Sequence, residues 1–190
     1  MLKKVEIRIS GLGGQGVVLA GEILGRAAVY DGKEVVETAS YGAEARGSAA
    51  KSEVIISDKK IGYPKVRKCD VLVAMSQSAL DKNIGDLKEN GILIIDKDVI
   101  EKVPNTKAKV IEVTATKTAE TKLRSKMYAN VIILGALVKA TKIVSEKACK
   151  RAIADSVPEE TKDKNIHGFK KGVNFALLDM PASKQQCRKT

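Results

Sequence analysis

Apolar and polar positions alternate strictly over Val5-Glu6-Ile7-Arg8-Ile9, the period-two pattern of a strand with one buried face. Ser10 and the cluster Gly11-Leu12-Gly13-Gly14-Gln15-Gly16 end that strand, and a helical period takes over from about Val17 to Tyr30, stopping at Asp31-Gly32. Small residues at Ala20, Gly21, Gly25 and Ala28 allow this helix to lie close on a sheet. Val35-Val36 reads as a short second strand, and Tyr41 to Ser48 as a loop of small and polar residues. Val54-Ile55-Ile56 and Ile61-Gly62-Tyr63, joined through Ser57-Asp58-Lys59-Lys60, read as a hairpin. Val71-Leu72-Val73-Ala74 and Ile92-Leu93-Ile94-Ile95-Asp96 are buried strands, with a helix from Ser76 to Asn90 closing at Gly91 between them. Val110-Ile111-Glu112-Val113 follows Pro104 as another strand. The last third is helical: Ala115 to Lys142 with a break near Tyr128-Ala129-Asn130, a helix from Ser145-Glu146 that ends before Pro158, and one from Asn165 to about Leu178.

Strands alternating with helices predict an α/β fold, a three-layer α/β/α sandwich on a mostly parallel, mixed sheet with a Rossmann-like glycine turn and a helical C-terminal third. Residues 1–180 read as a single domain and 181–190 as a basic, disordered tail. With 44% hydrophobic residues among 190, the chain has material for a core, and with six aromatic residues (Tyr 4, Phe 2, Trp 0) that core is aliphatic. No apolar run reaches the roughly 20 residues of a membrane span, and no signal peptide precedes the first strand. Both point to a cytoplasmic protein without a membrane partner. The net charge of +11 attracts anions. Nucleic acid is not expected as a partner, because helix-turn-helix and zinc-finger spacings are missing and the basic runs lack interleaved aromatics.

The candidate chemistry is narrow. Cys69, Cys149 and Cys187 are far apart and odd in number, and His167 is the one histidine, so no metal site or iron–sulfur cluster is expected in this chain. Cys69 and Cys149 read as buried structural thiols and His167 as a surface residue, which leaves no candidate for a bond-making role. Gly11, Gly13 and Gly16 fit GxGxxG between a strand and a helix, with Glu37 placed as a ribose-binding carboxylate would be. Gly11 and Gly16 also match a phosphate-loop spacing, but Val17-Val18 stands where lysine and a hydroxyl are required, so triphosphate hydrolysis is not expected. Two readings of the turn stay open: an anion cradle at a helix N-terminus, or close helix–strand contact alone. The loop Tyr41-Gly42-Ala43-Glu44-Ala45-Arg46-Gly47-Ser48 should lie beside the turn, at the carboxyl ends of the strands. Arg46 either pairs with Glu44 or holds a carboxylate or phosphate with its fork of donors.

Together these clusters resemble the gamma subunits of the 2-oxoacid:ferredoxin oxidoreductases. The resemblance rests on Gly11–Leu24, Ser40–Ser48, Ile61–Pro64, Val71–Gln77 and Asn130–Leu137, and on Val157-Pro158 with Asn165, Phe169 and Gly172. It covers nearly the whole chain outside the tail, and departs at Ser48, where relatives often carry a second glycine. The YGxEARG loop is most similar to the 2-oxoglutarate branch, with pyruvate and branched-chain enzymes as alternatives; a free-standing dinucleotide-binding dehydrogenase domain is a more distant one. The resemblance implies a noncatalytic subunit, inactive alone, that works with alpha, beta and delta subunits. In the complex the oxoacid is decarboxylated on thiamine diphosphate with magnesium, [4Fe–4S] clusters on other subunits pass electrons to ferredoxin, and coenzyme A takes the acyl group. Gly85-Asp86-Leu87 does not complete a thiamine motif. By the same resemblance, Gly11, Gly13, Gly14, Gln15 and Gly16 form a phosphate or interface turn on the coenzyme A side. Tyr41, Glu44, Arg46, Ser76 and Gln77 line the adjacent crevice, and Asn130 makes a contact at a helix break.

Overall fold

The computed structural model describes residues 4–42 and 48–178. Six strands form one sheet: β1 (Val5–Leu12), β2 (Glu34–Tyr41), β3 (Ala49–Ser57), β4 (Cys69–Ala74), β5 (Leu87–Asp96) and β6 (Lys109–Val113). Their spatial order is β2-β3-β1-β4-β5-β6. The pairs β1–β4, β4–β5 and β5–β6 are parallel, while β3 runs antiparallel to both of its neighbours, β1 and β2. The helices are α1 (Val17–Tyr30), α2 (Gln77–Asn83), α3 (Ala115–Leu123), α4 (Ala129–Thr141), α5 (Glu146–Ser156) and α6 (Glu159–Leu178). Among the described residues no helix is long and apolar enough to cross a membrane.

The mixed α/β sheet and the three-layer arrangement are as expected, but the layers are unequal. Ile7, Ile9, Val54, Val71, Val73 and Ile94 point to a large core shared with α1 and α3–α6. The opposite face buries Ile55, Leu72, Leu93 and Ile95 beneath Leu80 of α2 and the connecting residues Val66 and Ile100. This second cover explains why the polar positions of β1 are buried as well. Arg8 is 3% exposed, and its guanidinium donates to Glu53, Asp86, Asn83 and the Val66 carbonyl. A buried cation persists only when its donors are met, and these are.

Four local expectations are corrected. Ile61–Tyr63 is not a strand: β3 already has β1 and β2 on its two edges, so the hairpin is β2–β3. Both strands are longer than the sequence pattern indicates, since β2 runs Glu34–Tyr41 and β3 begins at Ala49. The helix after Ser76 ends at Asn83, a single 3-10 turn (Ile84–Asp86) follows, and Leu87–Asn90 already belongs to β5. Gly91 is therefore no helix cap. It sits where the β4–β5 register shifts, and a β-carbon there would lie 2.9 Å from the Asp70 carbonyl oxygen. The final helix also starts earlier, at Glu159, and the expected boundary at residue 180 lies outside the described residues.

Candidate functional site

β1 and β4 send their following helices to opposite faces, so the chain parts between their carboxyl ends, the usual place for a ligand crevice in an open α/β sheet. The glycine turn leaves β1 here, and Met75-Ser76 leaves β4. Gln15 bridges the gap: its Oε1 accepts from the Leu12 amide (2.7 Å) and its Nε2 donates to the Met75 carbonyl (2.8 Å). The Met75 amide donates back to the Ser10 carbonyl at 2.9 Å. Gln15 thus orders the turn and fills the parting of the strands.

The glycines of the turn divide by what surrounds them. A β-carbon at Gly11 would press on Gln15 (2.5 Å), Val17 (2.9 Å) and Met75 (3.1 Å), so Gly11 serves close contact. Gly16, the N-cap of α1, has φ 71°, and a β-carbon there would overlap the Asn130 amide. Asn130 is 2% exposed in the first turn of α4, and its Nδ2 donates to the Gly16 carbonyl at 3.2 Å. The contact expected of Asn130 is therefore a clamp on the turn from below. Gly14 differs: at φ 94° it has no atom within 4 Å of a built β-carbon, so it faces outward. Among the described residues no side chain caps α1, which leaves its first amides to attract an anion.

The Tyr41–Ser48 loop stands beside this turn at both of its described ends. Tyr41 pairs with Ala50, which pairs with Gly11, and the Gly13 amide donates to the Ser48 carbonyl at 2.8 Å. Glu44 and Arg46 lie outside the described residues. A cavity of about 260 Å³ opens between the hairpin and α2, lined by Ser10, Gly11, Ser40, Tyr41, Lys51, Ser78 and Lys82. Tyr41 is 67% exposed at its rim. Ser76 and Gln77 are not among its lining residues. The Ser76 hydroxyl caps α2 by accepting from the Ala79 amide, and Gln77 reaches across to the Glu101 and Lys102 backbone. α2 turns those side chains away and presents Ser78 and Lys82, four residues apart on one helix face. That spacing is readable in the sequence; Lys51 is missed because β3 starts earlier than its apolar run indicates.

The other chemical candidates are spoken for. Glu37 lies in the middle of β2, accepting from Ser52 (2.9 Å) under Gly21, where burial pushes its carboxyl above the ordinary value. It stops short of the carboxyl edge, so the dinucleotide reading loses its ribose partner. Asp96, 1% exposed, caps α3 through the Ala115 and Thr116 amides. His167 is exposed. Among the described residues no three His, Cys, Asp or Glu side chains gather around a possible metal position. Burial pushes the Cys69 thiol up to about 11 and raises Cys149 further. Because the thiolate is the reacting form, both should resist a disulfide reagent at pH 8 in a Cys187→Ser background and react on unfolding. Rapid modification of the folded protein would contradict this.

This is an α/β fold with a glycine turn, an uncapped helix start and lysines at one edge of its sheet, and with no cluster of metal-ligating side chains among the described residues. The chain belongs to the pyruvate ferredoxin/flavodoxin oxidoreductase family, whose model matches residues 6–175. It is 49% identical over 174 residues to 2-oxoglutarate synthase subunit KorC of Methanocaldococcus jannaschii, covering 90% of this chain and 93% of that one. The gamma subunit of a keto/oxoacid ferredoxin oxidoreductase from Geobacter sulfurreducens superposes with TM-score 0.82 at 43% identity, over 92% of this chain and 99% of that one. A 2-oxoglutarate:ferredoxin oxidoreductase from Magnetococcus marinus, with 2-oxoglutarate, coenzyme A and succinyl-CoA bound, matches with TM-score 0.86 at 25% identity; 96% of this chain corresponds to 32% of that one.

Proposed function

We propose that this chain is the gamma-type subunit of a cytoplasmic 2-oxoglutarate:ferredoxin oxidoreductase, a complex that converts 2-oxoglutarate to succinyl-coenzyme A and reduces ferredoxin. The observation that carries this reading is the 49% identity to a 2-oxoglutarate synthase subunit over 93% of that subunit's length. Thiamine diphosphate, magnesium and [4Fe–4S] clusters belong to the companion alpha, beta and delta subunits. This chain contributes a wall of the coenzyme A site: Gly14 and the open start of α1 face the phosphates, with Lys51 and Lys82 beside them, and Gly13 ties the turn to Ser48. Gly11, Gln15, Gly16 and Asn130 hold that wall in shape.

Co-expression with the companion subunits tests the reading. The complex should reduce a viologen dye with 2-oxoglutarate and coenzyme A, faster than with pyruvate or a branched-chain oxoacid, and the purified single chain should be colourless and inactive. Turnover by the single chain sinks the subunit reading, and a preference for pyruvate moves the chain to the neighbouring branch. The YGxEARG resemblance adds a finer expectation for Arg46. Arg46→Lys, losing one of two parallel charged hydrogen bonds, should weaken the apparent affinity of the complex for one substrate about ten- to a hundredfold. Unchanged Michaelis constants for Arg46→Ala would reduce it to an ion pair with Glu44.

A further inference from the structure

The densest run of positive charge in this chain lies in one exposed loop. Between Lys59 and Lys68 stand five cations, Lys59, Lys60, Lys65, Arg67 and Lys68, without a carboxylate, against a net charge of +11 for the whole chain. All five are exposed. Among the described residues none has an acidic partner, whereas the neighbouring Lys4 and Lys88 are neutralised by Glu6 and Asp70. Lys65, Arg67 and Lys68 wall an open groove of about 410 Å³, with Lys4, Lys88 and one carboxylate, Glu6, across it. This groove lies where β1 and β4 begin, at the end of the sheet remote from the glycine turn.

The segment is also held in place. Val66 is buried against the second face of the sheet with Ile61 beside it, and the buried Arg8 donates to the Val66 carbonyl at 3.2 Å. Lys68 reaches the Gly85 carbonyl, and the Arg67 guanidinium stands over the Tyr63 ring, 5.5 Å from its centre. The cations are thus displayed on a fixed loop, and a partner that meets them has little ordering cost to overcome.

We infer that the 59–68 loop is an electrostatic docking face for an acidic surface on a companion subunit of the complex. The inference rests on the subunit reading above. Charge complementarity selects the occupant: a row of exposed cations without carboxylate partners among the described residues attracts carboxylates over a Debye length and sets orientation. Single-stranded nucleic acid is less well suited, because the aromatic ring in the groove, Tyr63, is already covered by Arg67. A small anion is less well suited too, since these cations stand in solvent rather than around a closed cradle.

The test uses the co-expressed complex, isolated through a tag on the thiamine-bearing subunit and analysed by size exclusion across a salt series. Lys65→Glu, Arg67→Glu and Lys68→Glu together should cut the fraction of this chain in the complex about tenfold or more at physiological salt. The same charge change on exposed positions elsewhere, Lys122→Glu, Lys164→Glu and Lys170→Glu, should leave that fraction unchanged. Circular dichroism of both variants confirms that each is folded; a loop variant that is unfolded is replaced by the milder Lys65→Gln and Lys68→Gln pair, for which a lower dissociating salt concentration is expected. Wild-type incorporation and salt profile in the folded loop variant overturn the inference, as does equal weakening by the control set. Intact assembly with loss of binding to a 20-nucleotide single strand gives the face to nucleic acid instead. A wild-type chain that never joins the companions overturns the functional reading itself.

Discussion

Gly172→Ala should lower the melting temperature by about 5–15 °C, as a loss of about 2–4 kcal/mol does in a domain of this size. α4 and α6 cross in near backbone contact, and a β-carbon at Gly172 would overlap the Ile132 carbonyl oxygen and sit 2.7 Å from its carbon. Across the same crossing Gly135 faces the Phe169 carbonyl and lies, by the same construction, 2.9 Å from the Val173 nitrogen. The methyl cannot be accommodated by a rotamer change, because the atoms it meets are main chain. Alanine gains roughly 1 kcal/mol of helix propensity over glycine, which offsets only part of the overlap. Gly85→Ala, placed in open space, is the control and should change stability by less than about 0.5 kcal/mol. Calorimetry of both variants decides: equal melting temperatures would mean that the helices slide apart without cost.

Gly14→Val carries the largest expected effect on function. The residue has φ 94° with nothing near a built β-carbon, so the change strains the turn by about 1–3 kcal/mol without disturbing the core. What the valine meets is whatever approaches the turn from outside. In the assembled complex, saturation with coenzyme A should therefore weaken at least about a hundredfold, while the isolated chain keeps its circular dichroism. Gly11→Ala should show the opposite division, a destabilised chain, since its surroundings are Gln15, Val17 and Met75. Wild-type kinetics for Gly14→Val would assign the turn to internal contact alone.

Local features of the chain were readable in its pattern, and those that depend on distant neighbours were not. α1 was legible at both ends, because the helical period starts after a glycine cluster and stops at Asp31-Gly32. The helix break expected near Tyr128-Ala129-Asn130 was legible to within a few residues: it lies between Leu123 and Ala129, just ahead of α4. The ends of β2 were not: Thr38–Tyr41 are exposed, and pairing with β3, not hydrophobicity, extends the strand through them. The wrong hairpin had the same cause, since a turn sequence at Ser57–Lys60 says nothing about which edges of β3 are already taken. At the site, the turn residues and Tyr41 were readable as a motif. The roles of Gln15 and Asn130 depend on Met75 and Gly16, distant in sequence, and the bonds that Gln77 makes depend on where the 97–107 segment passes.

The insertion of β3 between β1 and β2 also bears on the order of assembly. Ile7 has Val54 on one side and Val71 on the other, so the first of these six strands is central and its neighbours arrive roughly fifty residues later. β1, α1 and β2 have no sheet to join until β3 emerges, and the N-terminal segment must wait with its apolar side uncovered. During refolding, the β1 amides should gain protection from exchange together with β3 and β4, after the helical turns of α1. The solubility of the emerging chain then depends on how quickly the β2–β3 hairpin closes.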